Sequence, residues 1–550
     1  MSTGFDLSTV FRTVAQTIPD QQCFIWRDLR LTYGQMDVRV DGVAHYLAAQ
    51  GLGCHTERDQ LAGHQSGQDH IGLYVRNGNE YIEGMVGAYR ARVAPFNVNF
   101  RYVEEELLYL LGDAGARALI YAGEFAPNVQ SILGRLPDLT VLIQVDDGSG
   151  NELLPGAVAY ESITATPAPA GGMPTPTGDD LYILYTGGTT GMPKGVLWRQ
   201  HDIFMSAMGG RPFLAAGEEL RSYDDLIAQV RAQAGFRSLL LLPPLMHGAA
   251  QWGVFNTITT GGWIAIPDDV TRFDAAAILR LAAKERVIGI PVVGDAMARP
   301  LVDEIERGDY DLSGLLAVTN GGAPLSPTVR DRLLNALPNL MIMDAVGASE
   351  SGAQMTTVAT KGADVAAATF TALADTTVVS TDFTRVLEPG DEVGWLARRE
   401  FVPLGYLNDA EKTARTFPTI DGVRWSIPGD KARLLPDGRI ELLGRDSVTI
   451  NSGGEKIFAE EVERAVASHP AVYDVVVTGR PSERWGNEVV AIVQFSENRS
   501  ATDEELAEAC REHIADYKVP KAFIRSEKIV RSPAGKADYR WAKEIATNSG

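Results

Sequence analysis

A glycine- and threonine-rich loop between two apolar segments constrains this chain more than any other feature. Leu181–Tyr185 is a continuous apolar run, which is typical of a buried strand. It leads into the decamer Thr186–Gly195, which contains four glycines, three threonines and Lys194. Glycines let backbone N–H groups approach phosphate oxygens, hydroxyls donate further hydrogen bonds, and a lysine adds positive charge. The decamer therefore predicts either a phosphate-holding loop or a glycine-rich hairpin turn.

The residues around Lys194 argue against a Walker phosphate-binding loop. A Walker loop has Ser or Thr directly after its lysine and continues into a helix. Here Lys194 lies between Pro193 and Gly195, and the strand-like segment Val196–Trp198 follows. We therefore expect a phosphate loop of another class.

The decamer, with Tyr185 before it, resembles the signature loop of the adenylate-forming superfamily, which includes acyl-CoA synthetases, luciferases and the adenylation domains of peptide synthetases. Further segments resemble this family in the expected order, over nearly the whole chain. The resemblance implies that Thr186 and Lys194 are catalytic and that Thr190 helps to hold Mg²⁺. The predicted nucleotide-binding residues of the loop are Thr186, Gly187, Gly188, Thr189, Thr190, Gly191 and Lys194. Gly187 stands where the family usually has Ser, which removes one hydroxyl and leaves the backbone donors.

Two later segments resemble the family's adenine and Mg²⁺ sites. Asn320–Pro324 resembles the segment that lies against adenine, and Asp344–Glu350 resembles the segment that ends in the Mg²⁺-binding glutamate. Mg²⁺ prefers oxygen ligands, so the resemblance implies that Glu350 links the ion to phosphate and is catalytic. The other nucleotide-binding residues predicted in these segments are Gly321, Gly322, Ala323, Asp344, Val346, Gly347 and Ser349, with Ser349 touching the α-phosphate. At Val346 the family often has an aromatic residue, so only apolar packing is expected there.

The segments that follow resemble the ribose site and the start of a second domain. Asp430 ends the segment Trp425–Asp430 and would accept both ribose hydroxyls, because a carboxylate has two acceptor oxygens. The resemblance also places Arg445 on the ribose, Ser447 at the hinge between domains, and Gly454 along the tunnel for the pantetheine arm of coenzyme A.

The last catalytic group implied by the resemblance is Lys536. It ends the segment Ser532–Lys536, which falls at the expected place after Tyr517–Pro520. His247 matches the position of the family's aromatic gate to the acyl site, and with Gly248 it is predicted to contact the acid. A buried histidine with a purely structural role is the alternative for His247.

The pattern of apolar segments predicts an α/β fold. Strands alternate with helices over the first 160 residues, which argues for a parallel sheet covered by helices. A linker, 164–178, and short β-like runs within 378–402 follow, and the last hundred residues read as α+β. We predict a large N-terminal adenylation domain, 1–444, of parallel α/β subdomains plus a small β subdomain. A small mobile α+β C-terminal domain, 445–550, would carry Lys536.

The amino-acid composition indicates which binding partners and which cellular compartment to expect. Among 550 residues, 50 basic against 71 acidic side chains give a net charge of −21, which argues against nucleic acid as a partner. Three widely spaced cysteines argue against a zinc site or a disulfide framework and are typical of a reducing cytoplasm. We expect a cytoplasmic protein without a transmembrane segment or signal peptide, and we leave open peripheral membrane contact and a homo-oligomer.

Positive charge is concentrated near the C-terminus of this acidic chain. The segment 517–543, called here the basic strip, contains eight basic and two acidic residues. Its basic residues are Lys518, Lys521, Arg525, Lys528, Arg531, Lys536, Arg540 and Lys543. The strip is either a solvated basic face or a source of positive charge for ATP and coenzyme A, which are both polyanions.

The resemblance implies an AMP-forming acid–thiol ligase that uses ATP, Mg²⁺ and coenzyme A. The substrate carboxylate would attack the ATP α-phosphorus and release pyrophosphate; the coenzyme A thiol would then attack the acyl-adenylate. Apolar residues within 245–255 favour a hydrophobic acid, a medium- or long-chain fatty acid or a steroid side-chain acid. The alternatives are an acyl-AMP ligase that loads a carrier protein, a luciferase-like oxygenase, and a non-catalytic acyl- or nucleotide-binding protein.

Overall fold

The computed structural model of the protein describes residues 4–186, 192–212, 218–363, 368–373, 375–445, 448–452, 455–482, 486–531 and 535–549. Its helices are α1 Leu7–Thr17, α2 Tyr33–Ala49, α3 Asn79–Arg90, α4 Glu104–Asp113, α5 Ala126–Ile132, α6 Tyr160–Ile163, α7 Gln200–Ala207, α8 Tyr223–Gln233, α9 Gly248–Ile258, α10 Ala275–Glu285, α11 Gly294–Arg307, α12 Pro327–Ala336, α13 Ala410–Thr416, α14 Ala459–Ala467, α15 Asp503–Arg511 and α16 Tyr539–Asn548.

Its strands are β1 Gln22–Trp26, β2 Leu29–Thr32, β3 His70–Tyr74, β4 Ala94–Asn97, β5 Ala116–Ala122, β6 Val141–Val145, β7 Ala157–Ala159, β8 Leu181–Thr186, β9 Lys194–Arg199, β10 Ser238–Leu240, β11 Trp263–Ile266, β12 Gly289–Val292, β13 Ala317–Gly321, β14 Met341–Ala348, β15 Gly352–Ala359, β16 Thr369–Ala372, β17 Thr376–Val379, β18 Gly394–Arg399, β19 Gly405–Tyr406, β20 Thr419–Ile420, β21 Val423–Ser426, β22 Asp430–Leu434, β23 Ile440–Arg445, β24 Thr449–Ser452, β25 Glu455–Phe458, β26 Val472–Ser482, β27 Gly486–Phe495 and β28 Ala522–Arg525.

The first sheet has the strand order β19-β9-β8-β4-β3-β5-β6-β7. Its strands from β8 to β7 run parallel, and all five residues of β3 are buried. Burial on both faces explains why these strands read as continuous apolar runs. β8 turns back into the antiparallel strand β9, and β19 adds at the edge. The phosphate loop therefore lies at one end of a sheet-edge hairpin.

The second sheet changes from parallel to antiparallel along its length. Strands β1, β11, β10, β12, β13 and β14 are parallel neighbours, and the order then continues antiparallel through β15 and β16 into the β-rich region 376–445. Only Ser349–Ser351 separate β14 from β15. A three-residue connection is too short for the crossover that parallel strands need, so the strands form a hairpin. Glu350 occupies the turn of this hairpin.

The C-terminal hundred residues build a hydrophobic core of their own. β26, β27 and β28 form a three-stranded sheet, β24 and β25 form a hairpin, and residues such as Ile457, Val462, Val475 and Phe523 are buried together. Helix α15 ends at Arg511, although the sequence pattern predicts a helix to Tyr517. The chain turns at 512–515 and forms one 3-10 turn before Pro520, which disfavours helix at the residue before it.

The prediction of an α/β fold with a large N-terminal part and a small C-terminal part is confirmed, with mixed rather than purely parallel sheets. The boundary at Arg445 stays a prediction. In the part of the chain that the structure describes, no helix is both long enough and apolar enough to cross a bilayer.

Candidate active site

The predicted phosphate loop joins two antiparallel strands. β8 pairs with β9 so that Thr186 lies opposite Lys194. Because a strand follows Lys194 instead of a helix, the loop is not a Walker loop. The loop residues Gly187, Gly188, Thr189, Thr190 and Gly191 lie outside the described residues. The hairpin nevertheless holds both ends of the loop, Thr186 and Lys194, side by side.

Lys194 lies between two carboxylates of the large N-terminal part. Its Nζ is 3.8 Å from Asp409 Oδ2 and 4.0 Å from Asp113 Oδ1. Burial opposes its positive charge, but the acidic neighbours, Asp113 first, raise the pKa of Lys194 above its usual value. Tyr185 fixes Asp113 in turn, because its hydroxyl donates a 2.8 Å hydrogen bond to Asp113 Oδ2. Lys194 is therefore protonated and oriented at the base of the loop.

Glu350 is held by groups from three distant segments. The hydroxyl of Tyr406 donates a 2.8 Å hydrogen bond to Glu350 Oε1, and Ser426 Oγ donates to the Glu350 carbonyl oxygen. Burial lowers the pKa of Lys412, and the charge of Glu350 opposes that shift, so the two groups are close. The Lys412 Nζ also lies 4.0 Å from the centroid of the Tyr406 ring.

A buried arginine supports the turn that carries Glu350. Arg398 donates a 3.2 Å hydrogen bond to the Ser351 carbonyl and another to the Ala353 carbonyl. Trp198 Nε1 donates a 2.9 Å hydrogen bond to the Ser349 carbonyl. Burial lowers the pKa of Arg398 to about 10, so its guanidinium stays protonated at neutral pH. The turn is thus fixed from both sides.

The predicted adenine segment lies beside the start of the segment that leads to Glu350. Asn320 and Asp344 face each other on β13 and β14, and Asn320 Nδ2 donates a 2.7 Å hydrogen bond to Asp344 Oδ1. Burial raises the pKa of Asp344, which this hydrogen bond opposes. Asn320 Nδ2 also donates to the Ala323 carbonyl at 3.1 Å, which closes the turn through Gly321 and Gly322. Gly322 adopts a φ of +80°, where a side chain would be strained.

Val346 and Gly347 lie on the same strand, β14, beyond Asp344. Val346 packs against a cluster that includes the buried residues Met355 and Leu396. A Cβ atom added to Gly347 would lie 2.4 Å from the Gly352 carbonyl oxygen, so a larger residue does not fit there. The apolar packing expected for Val346 is therefore present, but against the β-rich region.

The predicted ribose residues are neighbours on adjacent strands. Asp430 at the start of β22 pairs with Arg445 at the end of β23 in the antiparallel ladder. This places both backbone positions at one edge of the β-rich region, next to the C-terminal part. Ser447 and Gly454, the predicted hinge and tunnel residues, lie outside the described residues.

Lys536 reaches the predicted acyl site from the C-terminal part. Burial, and then the positive charges of Lys536 and Arg101, lower the pKa of His247 to about 4. Lys536 therefore lies within electrostatic range of His247. Within the described part of the chain, the buried Nε2 atom of His247 has no hydrogen-bond partner, which argues against a structurally satisfied histidine.

Two family models match this chain. The model described as "AMP-binding enzyme" matches residues 11–407, and the model described as "AMP-binding enzyme C-terminal domain" matches residues 461–536. This chain belongs to the AMP-binding enzyme family. The match covers the loop hairpin, the adenine segment and Glu350 in the first model, and Lys536 in the second.

Curated relatives and solved structures agree with this family. The chain is 56% identical over 552 residues to the medium-chain acyl-CoA ligase Mig of Mycobacterium avium, covering 100% of this chain and 99% of that one. It is 38% identical over 535 residues to the 3-oxocholest-4-en-26-oate–CoA ligase of Rhodococcus rhodochrous, covering 96% and 93%. The fold is similar to that of the anthranilate CoA ligase AuaEII, with a TM-score of 0.83 at 19% identity over 100% and 98% of the two chains.

The resemblance to the adenylate-forming superfamily is confirmed for this AMP-binding enzyme. The predictions of an AMP-forming acyl-CoA ligase, and of ATP, Mg²⁺ and coenzyme A as its cofactors, are confirmed as well. The family match does not test the individual site residues, so their roles stay predictions.

The site at Glu350 suits Mg²⁺, which needs few protein ligands, better than it suits a metal ion whose ligands all come from the protein. In proteins Mg²⁺ is usually bound through one or two carboxylates together with substrate phosphates and water. Among the described residues, no group of three or more His, Cys, Asp or Glu side chains is arranged to hold a metal. Glu350, fixed through one carboxylate oxygen by Tyr406, matches this single-carboxylate arrangement.

Several residues of this site carry no local signal in the sequence. Tyr406 and Lys412 lie more than fifty residues after Glu350, and β19 and the start of α13 bring them to it. Asp409, just before α13, comes instead to Lys194. Asn97 is a further residue of the site that no local sequence signal indicates. Its side chain donates hydrogen bonds of 2.9 Å to the Tyr185 carbonyl and 2.7 Å to the Met246 carbonyl. Asn97 thereby ties the phosphate hairpin to the residue before His247.

Four of the eight basic residues in the basic strip form ion pairs that the structure describes. Lys518 Nζ lies 2.6 Å from Glu461 Oε1, Arg531 Nη2 lies 2.6 Å from Asp474 Oδ1, and Arg525 pairs with Asp503. These partners lie outside the strip, so counting charge within 517–543 overstates the positive field there. With Arg540, which pairs with Glu544, four of the eight basic residues are thus paired with acidic residues of the C-terminal part.

We expect the neutral state of His247 to make the protein less stable in acid. An unfolded histidine titrates near pH 6.5, whereas the folded His247 stays neutral down to about pH 4, so the unfolded chain binds the proton first. Between pH 7.5 and pH 5.0 the wild type should lose about 2 kcal/mol more stability than His247→Phe. Urea unfolding at the two pH values checks this, and equal losses in both proteins would contradict it.

We expect Gly248→Ala to destabilise the protein and Gly253→Ala, on the same helix, to stabilise it. An added Cβ at Gly248 would lie 2.5 Å from Leu184 Cδ2, in the strand that leads to the phosphate loop, whereas at Gly253 the nearest atom is 3.7 Å away. Overpacking costs about 1–3 kcal/mol, while Gly to Ala inside a helix gains about 1 kcal/mol. Thermal unfolding measures both, and equal shifts in the same direction would contradict this prediction.

Proposed function

We propose that this chain activates medium-chain fatty acids and transfers them to coenzyme A. The observation that carries this proposal is the 56% identity, over the whole of both chains, to a medium-chain acyl-CoA ligase. The identity to a steroid side-chain acid ligase is 38%. A steroid side-chain acid is therefore the second candidate, because that relative also aligns over nearly its full length.

The proposed first half-reaction takes place between the phosphate hairpin and Glu350. The substrate carboxylate attacks the ATP α-phosphorus and pyrophosphate leaves, which makes the acyl carbon electrophilic. Lys194 and Lys536 would face the phosphate oxygens, and Glu350 with Thr190 would hold Mg²⁺, which neutralises phosphate charge. Reactions of this type depend on positioning and electrostatics, so no nucleophilic side chain is needed.

The remaining nucleotide contacts in our proposal use segments that are already ordered. Asn320 and Asp344 keep the turn through Gly321–Ala323 in the shape that receives adenine, with Gly347 and Ser349 lining the phosphates. Asp430 and Arg445 would bind the ribose. Preformed sites of this kind bind without a large ordering cost.

The acid would enter beside His247 and Gly248. The imidazole is neutral at physiological pH, so it offers an apolar face to a hydrophobic acyl chain and no competing charge to the carboxylate. Helix α9 continues from this point with buried residues including Val254 and Phe255, which suit an apolar chain.

The proposed second half-reaction requires the C-terminal domain, 445–550, to rotate relative to the N-terminal domain, 1–444. Rotation at the hinge residue Ser447 would withdraw Lys536 and bring Gly454 to the pantetheine tunnel. The thiol of coenzyme A then attacks the acyl-adenylate, and AMP leaves. This division of the chain and these roles are part of the proposal.

A pyrophosphate-release assay with a panel of acids tests the proposed substrate. The panel contains octanoate, decanoate, palmitate, anthranilate and a steroid side-chain acid, each with ATP and Mg²⁺. We expect the highest kcat/KM with octanoate or decanoate. A higher value for the steroid acid would favour the second candidate, and no pyrophosphate with any acid would favour a non-catalytic binding protein.

The acceptor is tested separately by AMP release. We expect AMP to appear only when coenzyme A is added and to equal the acyl-CoA formed. Tight retention of acyl-adenylate in the presence of coenzyme A would favour transfer to a carrier protein. Consumption of oxygen or emission of light would favour the luciferase-like alternative.

The proposed compartment is the cytoplasm. Cys23, Cys54 and Cys510 are free thiols, and two of them are buried, as in a reducing environment. The net charge of −21 supports the proposal that nucleic acid is not a partner.

A further inference from the structure

Helix α11 begins between the adenine segment and the segment of Lys536. The backbone N–H of Gly294 donates a 2.7 Å hydrogen bond to Asn320 Oδ1, and Asp295 Oδ1 accepts a 2.8 Å hydrogen bond from the Ser326 N–H. On the other side, a Cβ added to Gly535 would lie 3.0 Å from the carbonyl oxygen of Val293, the residue before α11. The backbone next to Lys536 therefore packs directly against the start of this helix.

A second contact between α11 and the C-terminal part involves Arg299. Its guanidinium carbon lies 4.4 Å from the centroid of the Tyr473 ring, on β26. Arg299 Nη2 also lies 2.6 Å from Asp295 Oδ2, one helical turn earlier, and its side chain is only 8% exposed. A cation held over an aromatic face is attracted by the ring, more strongly where water is excluded.

Tyr473 is linked to Lys536 through a partly buried ion pair. The next residue, Asp474, accepts hydrogen bonds from Arg531 at 2.8 Å and 2.6 Å. Arg531 Nη1 donates a further hydrogen bond of 3.3 Å to the carbonyl of Gly535, which precedes Lys536. The hydrogen bonds of Arg531 therefore connect the residue after Tyr473 to the residue before Lys536.

We propose that Arg299 is a positioning residue for adenylate formation: stacked on Tyr473, it docks the C-terminal part against α11 and so holds Lys536 at the acyl site. This inference rests on the proposed role of Lys536 in the first half-reaction. The thioester step needs Lys536 to withdraw, so the contact serves one half-reaction only. Because Asn320 anchors the start of α11, ordering of the adenine segment by ATP favours the same docked arrangement.

The kinetic test compares the two half-reactions in Arg299→Ala, Tyr473→Leu and the matched control Tyr473→Phe, which keeps the ring. Adenylation is measured with decanoate and ATP by pyrophosphate release, and thioester formation with supplied decanoyl-adenylate and coenzyme A. We expect the first two variants to lose about tenfold in adenylation kcat, as for a desolvated cation–π contact, and nothing in thioester formation. Tyr473→Phe should stay within about twofold of the wild type.

Equal losses in both half-reactions would overturn the proposal, because a merely structural contact would affect both. So would a loss in Tyr473→Phe equal to that in Tyr473→Leu. Arg299→Lys, which keeps the charge, is expected to recover part of the adenylation rate. Normal adenylation in Arg299→Ala would equally exclude the docking role.

A distance measurement tests the docking contact without relying on activity. Spin labels are attached at Arg307→Cys, at the exposed end of α11, and Glu497→Cys, on the exposed surface after β27, with Cys54→Ser removing the partly exposed thiol. With ATP and Mg²⁺ present, we expect a narrow distance distribution that broadens in Arg299→Ala. An unchanged distribution would overturn the proposal. A wild type that activates no acid of the panel would instead contradict the proposed function, while the distances still decide the docking.

Discussion

Replacing Lys536 with alanine should lower the rate of adenylate formation about 10²–10³-fold, the usual cost of removing a group that stabilises transition-state charge. Lys536 comes from the C-terminal part to the predicted acyl site: burial lowers the pKa of His247 most, and the positive charge of Lys536 lowers it further. In our proposal it stabilises charge on the phosphates and carboxylate during the first half-reaction only. Thioester formation from supplied decanoyl-adenylate and coenzyme A should therefore stay within about twofold of the wild type.

Lys543→Ala is the matched control for Lys536→Ala. Lys543 is an exposed lysine on α16, in the same part of the chain, and its loss should change neither half-reaction. Pyrophosphate release and acyl-CoA formation are measured separately in both variants. Equal losses of the two half-reactions in Lys536→Ala would contradict a role confined to adenylation, and a large loss in Lys543→Ala would point to a general effect of charge.

Replacing Glu350 with glutamine should lower adenylation at least about 100-fold and raise the Mg²⁺ concentration needed for half-maximal rate. Glutamine has the same shape and can still accept the hydrogen bond from the Tyr406 hydroxyl. It lacks the negative charge that a hard cation requires, and Mg²⁺ supplies several kcal/mol of charge stabilisation in such reactions. A Mg²⁺ titration of the pyrophosphate-release rate measures the change.

Tyr406→Phe separates the orientation of Glu350 from its charge. It removes only the hydroxyl that donates to Glu350 Oε1, so we expect a loss of about tenfold, typical of a group that orients a metal ligand. An unchanged Mg²⁺ requirement in Glu350→Gln would contradict the proposed metal site. A loss in Tyr406→Phe as large as in Glu350→Gln would mean that orientation, not charge, dominates.

The local pattern was sufficient for the α/β class of the fold and for single elements such as β8. The continuous apolar run Leu181–Tyr185 predicted the buried strand β8, because both faces of this strand are covered. The strand-like segment after Lys194 argued against a Walker loop, and the β8–β9 hairpin confirms this prediction. Helix α15 was predicted too long, because its end depends on how the chain turns back toward β28 and not on helical periodicity.

The predicted site residues themselves were found from motifs, but the residues that hold them in place were not. Asp344 and Glu350 are recognisable as motif residues, whereas Tyr406, Lys412 and Arg398 lie in segments without such a signal. Each reaches the site from a segment more than forty residues away along the chain. A hydrogen bond of this kind depends on the register of distant strands, and local residue types do not encode that register.

The resemblance of several motifs along the chain to the adenylate-forming superfamily was sufficient to indicate the class of enzyme, which the two family models confirm. The same motifs left undecided how the two ends of the chain meet. Gly535 packs on Val293 and Arg299 on Tyr473, and we propose that these contacts hold Lys536 near His247; no sequence motif predicts either contact. Short-range spacing is set by backbone geometry, whereas the docking of separate cores depends on surface complementarity that appears only after each has folded.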